Sequence, residues 1–124
     1  MINSYMSWFN KSSSKINWIP LISIEDLNEA VEESANQPIV LFKHSTRCSI
    51  SDMAKARLED KWQEHFNMKT YYLDLIAYRN VSDEIAKIFN IIHESPQVIV
   101  VSKHEAIINL THNQISVQAI LEKL

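Results

Sequence analysis

The chain has 124 residues, of which 46% are hydrophobic and 22% charged, and a net charge of −3. This length suits one domain with a substantial core, and the charge balance gives no basic surface for a nucleic-acid backbone or an anionic membrane. The complete absence of glycine argues against the glycine-rich loops that hold phosphates in P-loop enzymes and dinucleotide-binding proteins.

Cys48 is the only cysteine. A single cysteine forms no intramolecular disulfide, whereas a secreted domain of this size usually carries an even set. No stretch approaches the ~18 apolar residues of a membrane span. Residues 1–15 also lack the apolar run and cleavage site of a signal peptide. We therefore expect a cytoplasmic protein, with a loosely attached N-terminal extension over residues 1–15 and one domain over residues 16–124.

The first half of the domain alternates extended and helical patterns. Residues 17–22 predict an edge strand, since Pro20 lacks the N–H that a central strand needs, and Ser23 is placed to cap the helix that follows. The apolar run 39–42 predicts a strand that is buried on both faces. A long helix is expected after Cys48 because apolar residues recur there every four positions. The two predicted helical stripes are Leu27, Ala30, Val31 and Ala35, and then Ile50, Ala54, Leu58, Trp62 and Phe66.

The second half adds three strands and two helices. Residues 69–75 predict a strand, and Ser82 is placed to cap a helix with Asn90 in its C-terminal turn. Residues 97–101 and 106–110 predict two strands joined by a turn, and Ser116 opens a final helix. The apolar sides of these helices are Ile85, Ile88, Phe89 and Ile92, and then Val117, Ile120, Leu121 and Leu124.

The resulting order is β-α-β-α-β-α-β-β-α. Parallel crossovers come first, and a hairpin with a covering helix closes the chain. This order, with two apolar strands at the centre, predicts a thioredoxin-like α/β fold, with a central mixed sheet and helices on both faces.

The surroundings of Cys48 indicate a reactive thiol rather than an inert core residue. It follows a buried strand and begins an amphipathic helix, where unpaired N–H groups and the helix dipole favour the thiolate. Arg47 acts in the same direction. Ser51 stands three residues on, where we expect its hydroxyl to donate a hydrogen bond to the sulfur.

Ser95-Pro96 stands directly before the central strand 97–101. The predicted fold brings this dipeptide against Cys48. A cis peptide bond at Pro96 would turn the chain sharply there and present backbone groups beside the sulfur.

With these motifs the chain resembles the bacillithiol-system thioredoxin-like family, the YtxJ-type monothiol bacilliredoxins, from about Leu21 to the C-terminus. The matching segments are 41–48 (LFKHSTRC) with Ile50-Ser51, then 93–98 (HESPQV), and more weakly Thr111-His112 with Ile115-Ser116. The resemblance implies a thioredoxin fold, Cys48 as the nucleophile and a cis proline at Pro96. It also implies bacillithiol as the thiol partner. The family usually has proline directly after the cysteine, where this chain has Ser49.

The resemblance and the single cysteine together suggest a mechanism. Cys48 would remove bacillithiol from protein mixed disulfides, and a second bacillithiol would resolve the adduct, since Ser51 cannot. We expect Thr46, Arg47, Ser51, Ser95 and Pro96 to bind the substrate. Arg47 and Ser95 would meet bacillithiol itself, with Arg47 facing its malate carboxylates. No metal or nucleotide cofactor is expected.

Two alternatives remain open at this point. One is a non-catalytic thioredoxin-like binding module, and the other is an iron–sulfur carrier like the monothiol glutaredoxins. The five histidines, including His44, are scattered without the spacing of a structural zinc site. At the end of a strand, Asp74 fits a solvated helix-entry or loop residue as well as a functional one.

Overall fold

The computed structural model describes residues 16–124. The expectations about residues 1–15 lie outside the described residues. The helices and strands are β1 (Ile19–Pro20), α1 (Ile24–Glu33), β2 (Ile39–His44), α2 (Ser49–Lys61), β3 (Lys69–Asp74), α3 (Arg79–Phe89), β4 (Gln97–Ser102), β5 (Glu105–Thr111) and α4 (Val117–Leu121), with a short 3₁₀ turn over His112–Gln114. Within residues 16–124, none of these helices is long and apolar enough to cross a membrane.

The strands form one mixed sheet in the order β1-β3-β2-β4-β5. The first three strands are parallel to one another, β4 runs antiparallel to β2, and β5 runs antiparallel to β4. The predicted order of elements is therefore confirmed, with the crossovers first and the hairpin last.

The central strand β2 is buried along its whole length, because helices cover both faces of the sheet. Val40 and Phe42 belong to a core that includes side chains of α2 and α4. Ile39 and Leu41 belong to a second core that includes side chains of α1 and α3. The continuous apolar run of this strand reflects these two cores, as expected for a strand without a solvent face.

Helix α2 is shorter than its apolar pattern predicted. It ends at Lys61, and Trp62 is an extended C-cap residue that stays buried, while Phe66 follows in a turn packed against the same core. At the other end, the Ile50 side chain is 48% exposed. Four residues advance about 400° around an α-helix, so a stripe with that spacing drifts by about 40° at each step. Five such positions cannot all face one core.

Helix α3 begins earlier than predicted, and Ser82 is not its cap. The helix starts at Arg79, so Ser82 lies inside it and is buried. Ile92 lies beyond the helix, and its side chain is 82% exposed. Asn90 is the C-cap residue with a φ of 52°, a left-handed conformation that asparagine tolerates better than most residues.

The serine caps of the first and last helices are confirmed. Ser23 Oγ accepts a hydrogen bond from the Asp26 N–H, and Ser116 Oγ accepts one from the Ala119 N–H. Ala35 lies beyond the end of α1. Leu121 and Leu124 are exposed rather than internal, since α4 has only five residues and offers a short inner face.

Candidate active site around Cys48

Three segments meet at one edge of the sheet. The parallel strands β2 and β3 end there at His44 and Asp74, which are paired with each other. The antiparallel strand β4 begins there at Gln97, opposite Lys43. The loop that leads to Cys48 and the segment before Gln97 therefore emerge side by side.

The peptide bond between Ser95 and Pro96 is cis, as the sequence predicted. Pro96 is buried, and its carbonyl accepts a hydrogen bond from the His112 N–H at 3.1 Å. Arg57 of α2 donates in turn to the His112 carbonyl at 3.0 Å. Hydrogen bonds therefore connect the segment that contains Pro96 to the 3₁₀ turn. They also connect that turn to α2, the helix whose N-cap is Cys48.

Cys48 is the N-cap residue of α2. Its backbone is extended, with φ −122° and ψ 118°, and its side chain makes no capping hydrogen bond. The Cys48 carbonyl accepts the Asp52 N–H at 3.1 Å, and the Cys48 N–H donates to the Ser45 carbonyl at 3.2 Å. The thiol is free and only partly buried. The sulfur therefore lies at a helix start whose first N–H groups have no intrahelical acceptor.

Thr46 and Arg47 are exposed residues of the loop between β2 and α2. The Arg47 N–H donates to Ser45 Oγ at 3.4 Å, which helps to shape the loop. Among residues 16–124, the Arg47 guanidinium forms no ion pair. Within the described residues, a cation free of ion pairs therefore stands directly before the cysteine.

Ser51 does not make the expected hydrogen bond to sulfur. It is fully buried, and its hydroxyl lies 2.6 Å from His44 Nδ1. The same oxygen accepts the Ser45 N–H at 3.1 Å. The Ser51 hydroxyl thus makes both contacts below the surface of the loop. Ser51 is too deeply buried to contact an incoming disulfide directly.

His44 is a component of the site that the sequence reasoning set aside. It is buried, its ring centroid lies 5.6 Å from that of Phe42 and 5.5 Å from that of Tyr72, and its Nε2 lies 3.4 Å from Asp52 Oδ1. Burial holds the pKa of His44 below its usual value, although the Asp52 carboxylate acts in the opposite direction. The sequence contained a signal for this role, because a polar side chain at the end of a buried strand needs a hydrogen-bond partner.

Lys43 is the second buried polar residue of β2. Its side chain is fully buried, and its amine has no hydrogen-bond partner within residues 16–124. Burial lowers the pKa of Lys43 to about 8, against the opposing effect of Asp83 and Glu94. The hydroxyl of Ser95, the residue before Pro96, is likewise buried and has no hydrogen-bond partner within residues 16–124.

The carboxylate of Asp74 serves the loop after β3. Its Oδ1 accepts hydrogen bonds from the N–H groups of Ile76 and Ala77 at 3.1 and 3.4 Å. The Asp74 carboxylate is thus used by its own loop, which fits the non-functional of the two readings that the sequence left open. In the described range 16–124, no cluster of three or more histidine, cysteine, aspartate or glutamate side chains is arranged to hold a metal ion.

Solved structures similar to this chain are thioredoxin folds. One, provisionally named an oxidoreductase with a thioredoxin fold, is 34% identical, with a TM-score of 0.75 over 85% of this chain and 91% of the other. Mitochondrial thioredoxin 3 from Saccharomyces cerevisiae in its oxidised form is 14% identical, with a TM-score of 0.72 over 90% of this chain and 100% of the other. Thioredoxin O1 from Arabidopsis thaliana in the oxidised state is 15% identical, with a TM-score of 0.68 over 86% and 96%. The predicted thioredoxin-like fold is confirmed.

The sequence itself matches a family profile over most of its length. Residues 19–120 match the family described as monothiol bacilliredoxin BrxC, and this range contains the Cys48 loop and the cis proline. A thiol redox function follows for a domain with this fold and one cysteine at the helix start. The chain belongs to the monothiol bacilliredoxin BrxC family.

Proposed function

We propose that the protein is a monothiol thiol–disulfide oxidoreductase that acts in the cytoplasm and removes bacillithiol from protein mixed disulfides through Cys48. The observation that carries this proposal is the placement of the thiol. Cys48 is partly exposed at the start of α2, its side chain is not used as a helix cap, and the cis Ser95–Pro96 peptide lies at the same edge of the sheet. Membership of the family supports it.

The first step is attack of the Cys48 thiolate on the bacillithiol sulfur of the mixed disulfide. The disulfide of the client breaks, the client sulfur leaves as a thiolate and takes a proton from solvent, and Cys48 becomes disulfide-linked to bacillithiol. In the second step a thiolate of free bacillithiol attacks the bacillithiol sulfur of this adduct. Cys48 thiolate is released and bacillithiol disulfide forms, so bacillithiol is the reducing co-substrate.

The helix start supplies the electrostatic part of both steps. The unpaired N–H groups of the first turn and the α2 dipole stabilise negative charge on the sulfur, both before attack and when Cys48 is the leaving group. A stabilised thiolate is a better leaving group, so the second step gains from the same arrangement that prepares the first.

Residues on either side of the sulfur hold the substrate. Arg47 is exposed and carries a guanidinium that pairs with the malate carboxylates of bacillithiol, for which a planar cation is well suited. Thr46 and the backbone of Ser95 align the incoming disulfide, and Pro96 holds the Ser95 backbone at the sheet edge. Every one of these groups precedes a helix or strand, so the ordered sheet fixes their positions.

The test uses a small client peptide that carries bacillithiol on its single cysteine. The wild-type protein with excess bacillithiol is expected to release the free peptide thiol, and mass spectrometry of the protein is expected to show one bacillithiol on Cys48. Cys48→Ala is expected to show neither. Matched reactions with a glutathione-modified peptide and glutathione measure the preference between the two thiols.

Two outcomes would overturn the proposal. A Cys48→Ala protein that still frees the client would remove the thiol from the mechanism. A wild-type protein that exchanges with no disulfide would favour the non-catalytic binding module instead. Ser49→Ala provides the matched control, since it changes a neighbouring side chain of the same loop and leaves the sulfur in place.

A further inference from the structure

We propose that His44 is a positioning residue for the thiol: it binds the hydroxyl proton of Ser51 and so prevents that hydroxyl from donating to the Cys48 sulfur. Its importance for catalysis rests on the proposed function, because the thiol it acts on is the proposed nucleophile. The hydrogen bond between His44 and Ser51 does not depend on that function, so it can be tested without bacillithiol.

The Ser51 hydroxyl has a limited hydrogen-bonding capacity. A serine hydroxyl has one proton to donate and two lone pairs to accept with. One lone pair receives the Ser45 N–H at 3.1 Å. The remaining close neighbour is His44 Nδ1 at 2.6 Å, and either the hydroxyl or the imidazole must supply the proton for that contact.

The surroundings of His44 Nε2 decide which group supplies the proton. A neutral imidazole has one N–H and one acceptor nitrogen. His44 Nε2 lies 3.4 Å from Asp52 Oδ1, and a carboxylate accepts hydrogen bonds but does not donate them when ionised. The nearby carboxylate favours the proton of His44 on Nε2, which leaves Nδ1 as an acceptor. The Ser51 hydroxyl is the donor, and its only proton is used.

The direction of the Ser51 hydroxyl proton matters for the Cys48 sulfur. Cys48 is the N-cap residue and Ser51 is the third residue of α2, positions that are neighbours at the start of a helix. A hydroxyl that donated to the thiolate would stabilise it and make it less nucleophilic. With Ser51 bound to His44, the backbone N–H groups of the helix start stabilise the thiolate and this hydroxyl does not.

Protonation of His44 reverses the arrangement. An imidazolium donates from both nitrogens, so Nδ1 would donate to Ser51 Oγ and the hydroxyl proton would be free to turn toward the sulfur. The carboxylates of Asp52 and Glu59 on α2 and of Asp74 on β3 favour the charged imidazolium. Lys55 opposes it.

The neutral form of His44 dominates at pH 7. Burial is the largest influence and holds the pKa of His44 below its usual value of 6.5. The other ionisable group near the ring from β3 is the phenol of Tyr72, whose pKa burial raises, so it stays neutral in this range. The rearrangement of Ser51 is therefore confined to acidic solution.

The first experiment reads the position of the proton in the wild-type protein. Nitrogen chemical shifts of the His44 ring, measured by NMR at pH 7, are expected to show a protonated Nε2 and an unprotonated Nδ1. A ring protonated on Nδ1 at this pH would overturn the proposal, because Ser51 would then be the acceptor. This measurement requires no variant and no activity.

The second experiment measures the alkylation rate of Cys48 by iodoacetamide as a function of pH. His44→Phe keeps a ring in the site but removes the acceptor, so the midpoint of the profile is expected to move lower by about one pH unit. In the His44→Phe/Ser51→Ala double variant the midpoint is expected to return toward the wild-type value. Ser51→Ala alone is expected to move it little, since the hydroxyl does not serve the sulfur in the wild type.

A purely structural role for His44 would not produce this coupling. Equal shifts from Ser51→Ala in both backgrounds, or an unchanged midpoint in His44→Phe, would overturn the proposal. His65→Phe is the matched control, since His65 is exposed beyond the far end of α2 and its replacement is expected to leave the profile unchanged. Failure of the proposed function would appear separately, as client release by Cys48→Ala with the alkylation profile unaffected.

Discussion

Lys43 and Gln97 lie opposite each other in the antiparallel pairing of β2 with β4, and both are fully buried, yet within residues 16–124 only the Gln97 side chain has hydrogen-bond partners. Its side-chain nitrogen donates to the Ile92 carbonyl at 3.2 Å and to Asn109 Oδ1 at 2.9 Å, and its oxygen accepts the Glu94 N–H at 3.3 Å. The amine of Lys43 has no such partner within residues 16–124. Gln97 thus anchors the segment before the cis proline, while Lys43 destabilises the same region.

Replacement of Lys43 by methionine is expected to stabilise the fold. Methionine matches the length of the lysine side chain and fills the same space without a charge that must leave water. Urea unfolding at pH 7 is expected to show a higher free energy of unfolding for Lys43→Met than for the wild type. Lys87→Met, at an exposed site of α3, is the matched control and is expected to change little.

The same lysine predicts how stability depends on pH. Its pKa falls from 10.5 to about 8 on folding, mainly through burial, so between these values the unfolded chain binds more protons than the folded one. Stability contributed by this site therefore rises as the pH increases from about 8 to 10.5, by up to about 3 kcal/mol. The difference between wild type and Lys43→Met is expected to shrink over this range. A constant difference would show that the amine titrates normally.

Replacement of Ser49 by proline is expected to be tolerated. Ser49 is the first residue of α2, a position whose N–H has no intrahelical acceptor and where proline is common. Cys48 before it has φ −122° and ψ 118°, close to the conformation that proline imposes on the preceding residue. Ser49→Pro should raise the free energy of unfolding by about 0.4–1 kcal/mol, because it restricts the unfolded chain.

The control for that substitution is a proline inside the same helix. Ala56→Pro lies at an exposed position in the middle of α2, where it removes a helical hydrogen bond and is expected to cost about 3 kcal/mol. If Ser49→Pro destabilised the protein as much as Ala56→Pro, the placement of the helix start at Ser49 would be wrong. Thermal unfolding monitored by circular dichroism distinguishes the two results.

The hairpin between β4 and β5 is a turn without glycine. Lys103 and His104 have φ values of 51° and 69°, a left-handed region that costs about 1 kcal/mol or more for a residue with a Cβ. The turn is held by Ser34, whose carbonyl accepts the Lys103 N–H at 2.7 Å and whose hydroxyl accepts the His104 N–H at 2.9 Å. Both bonds use backbone donors and would survive a change of side chain.

His104→Gly is therefore expected to stabilise the protein by about 0.5–1 kcal/mol. The gain is limited because glycine also increases the entropy of the unfolded chain, and because the contact of His104 Nε2 with Glu32 at 3.6 Å is lost. Asn113→Gly is the comparison, since Asn113 is exposed and is not among the residues with positive φ; it is expected to lower stability. Equal effects of the two glycines would contradict the account of the turn.

The fold was predictable because its signals were local and consistent. The apolar run of β2, the serine caps at Ser23 and Ser116 and the left-handed Asn90 each follow from the properties of short segments. The ends of α2 and α3 were not predictable in this way. Whether Trp62 continues a helix or leaves it depends on the core it meets, and Ser82 serves a tertiary contact with His93 Nδ1 at 3.4 Å instead of a cap.

The site was predictable in its backbone but not in its side-chain pairing. The strand–Cys–helix pattern placed Cys48 at a helix start, and the sequence placed a cis peptide bond at Pro96 before β4. The hydrogen bond of Ser51 to His44 joins residues seven positions apart, and no spacing rule favours it over the expected bond to sulfur. It arises because the last residue of β2 and the first turn of α2 face the same buried space.

Arg47 gives the last prediction, which concerns substrate preference. Its guanidinium is exposed and free of ion pairs in the described chain, so its replacement should not disturb the loop. Arg47→Ala is expected to slow exchange with bacillithiol disulfide about tenfold, since a charge-assisted contact to the carboxylates is lost. Exchange with an uncharged disulfide such as hydroxyethyl disulfide is expected to change far less.

The ratio of these two rates separates recognition from thiol activation. If Arg47 acted only by stabilising the thiolate, both disulfides would react more slowly by the same factor, and the assignment to the carboxylates would fail. Salt provides an independent measure, because an exposed ion pair is screened at high ionic strength. The wild-type preference for bacillithiol disulfide should therefore decline as salt increases, whereas the preference of Arg47→Ala should stay constant. Arg47→Lys keeps the charge but not the planar pair of donors, and we expect it to retain the salt dependence with a smaller preference.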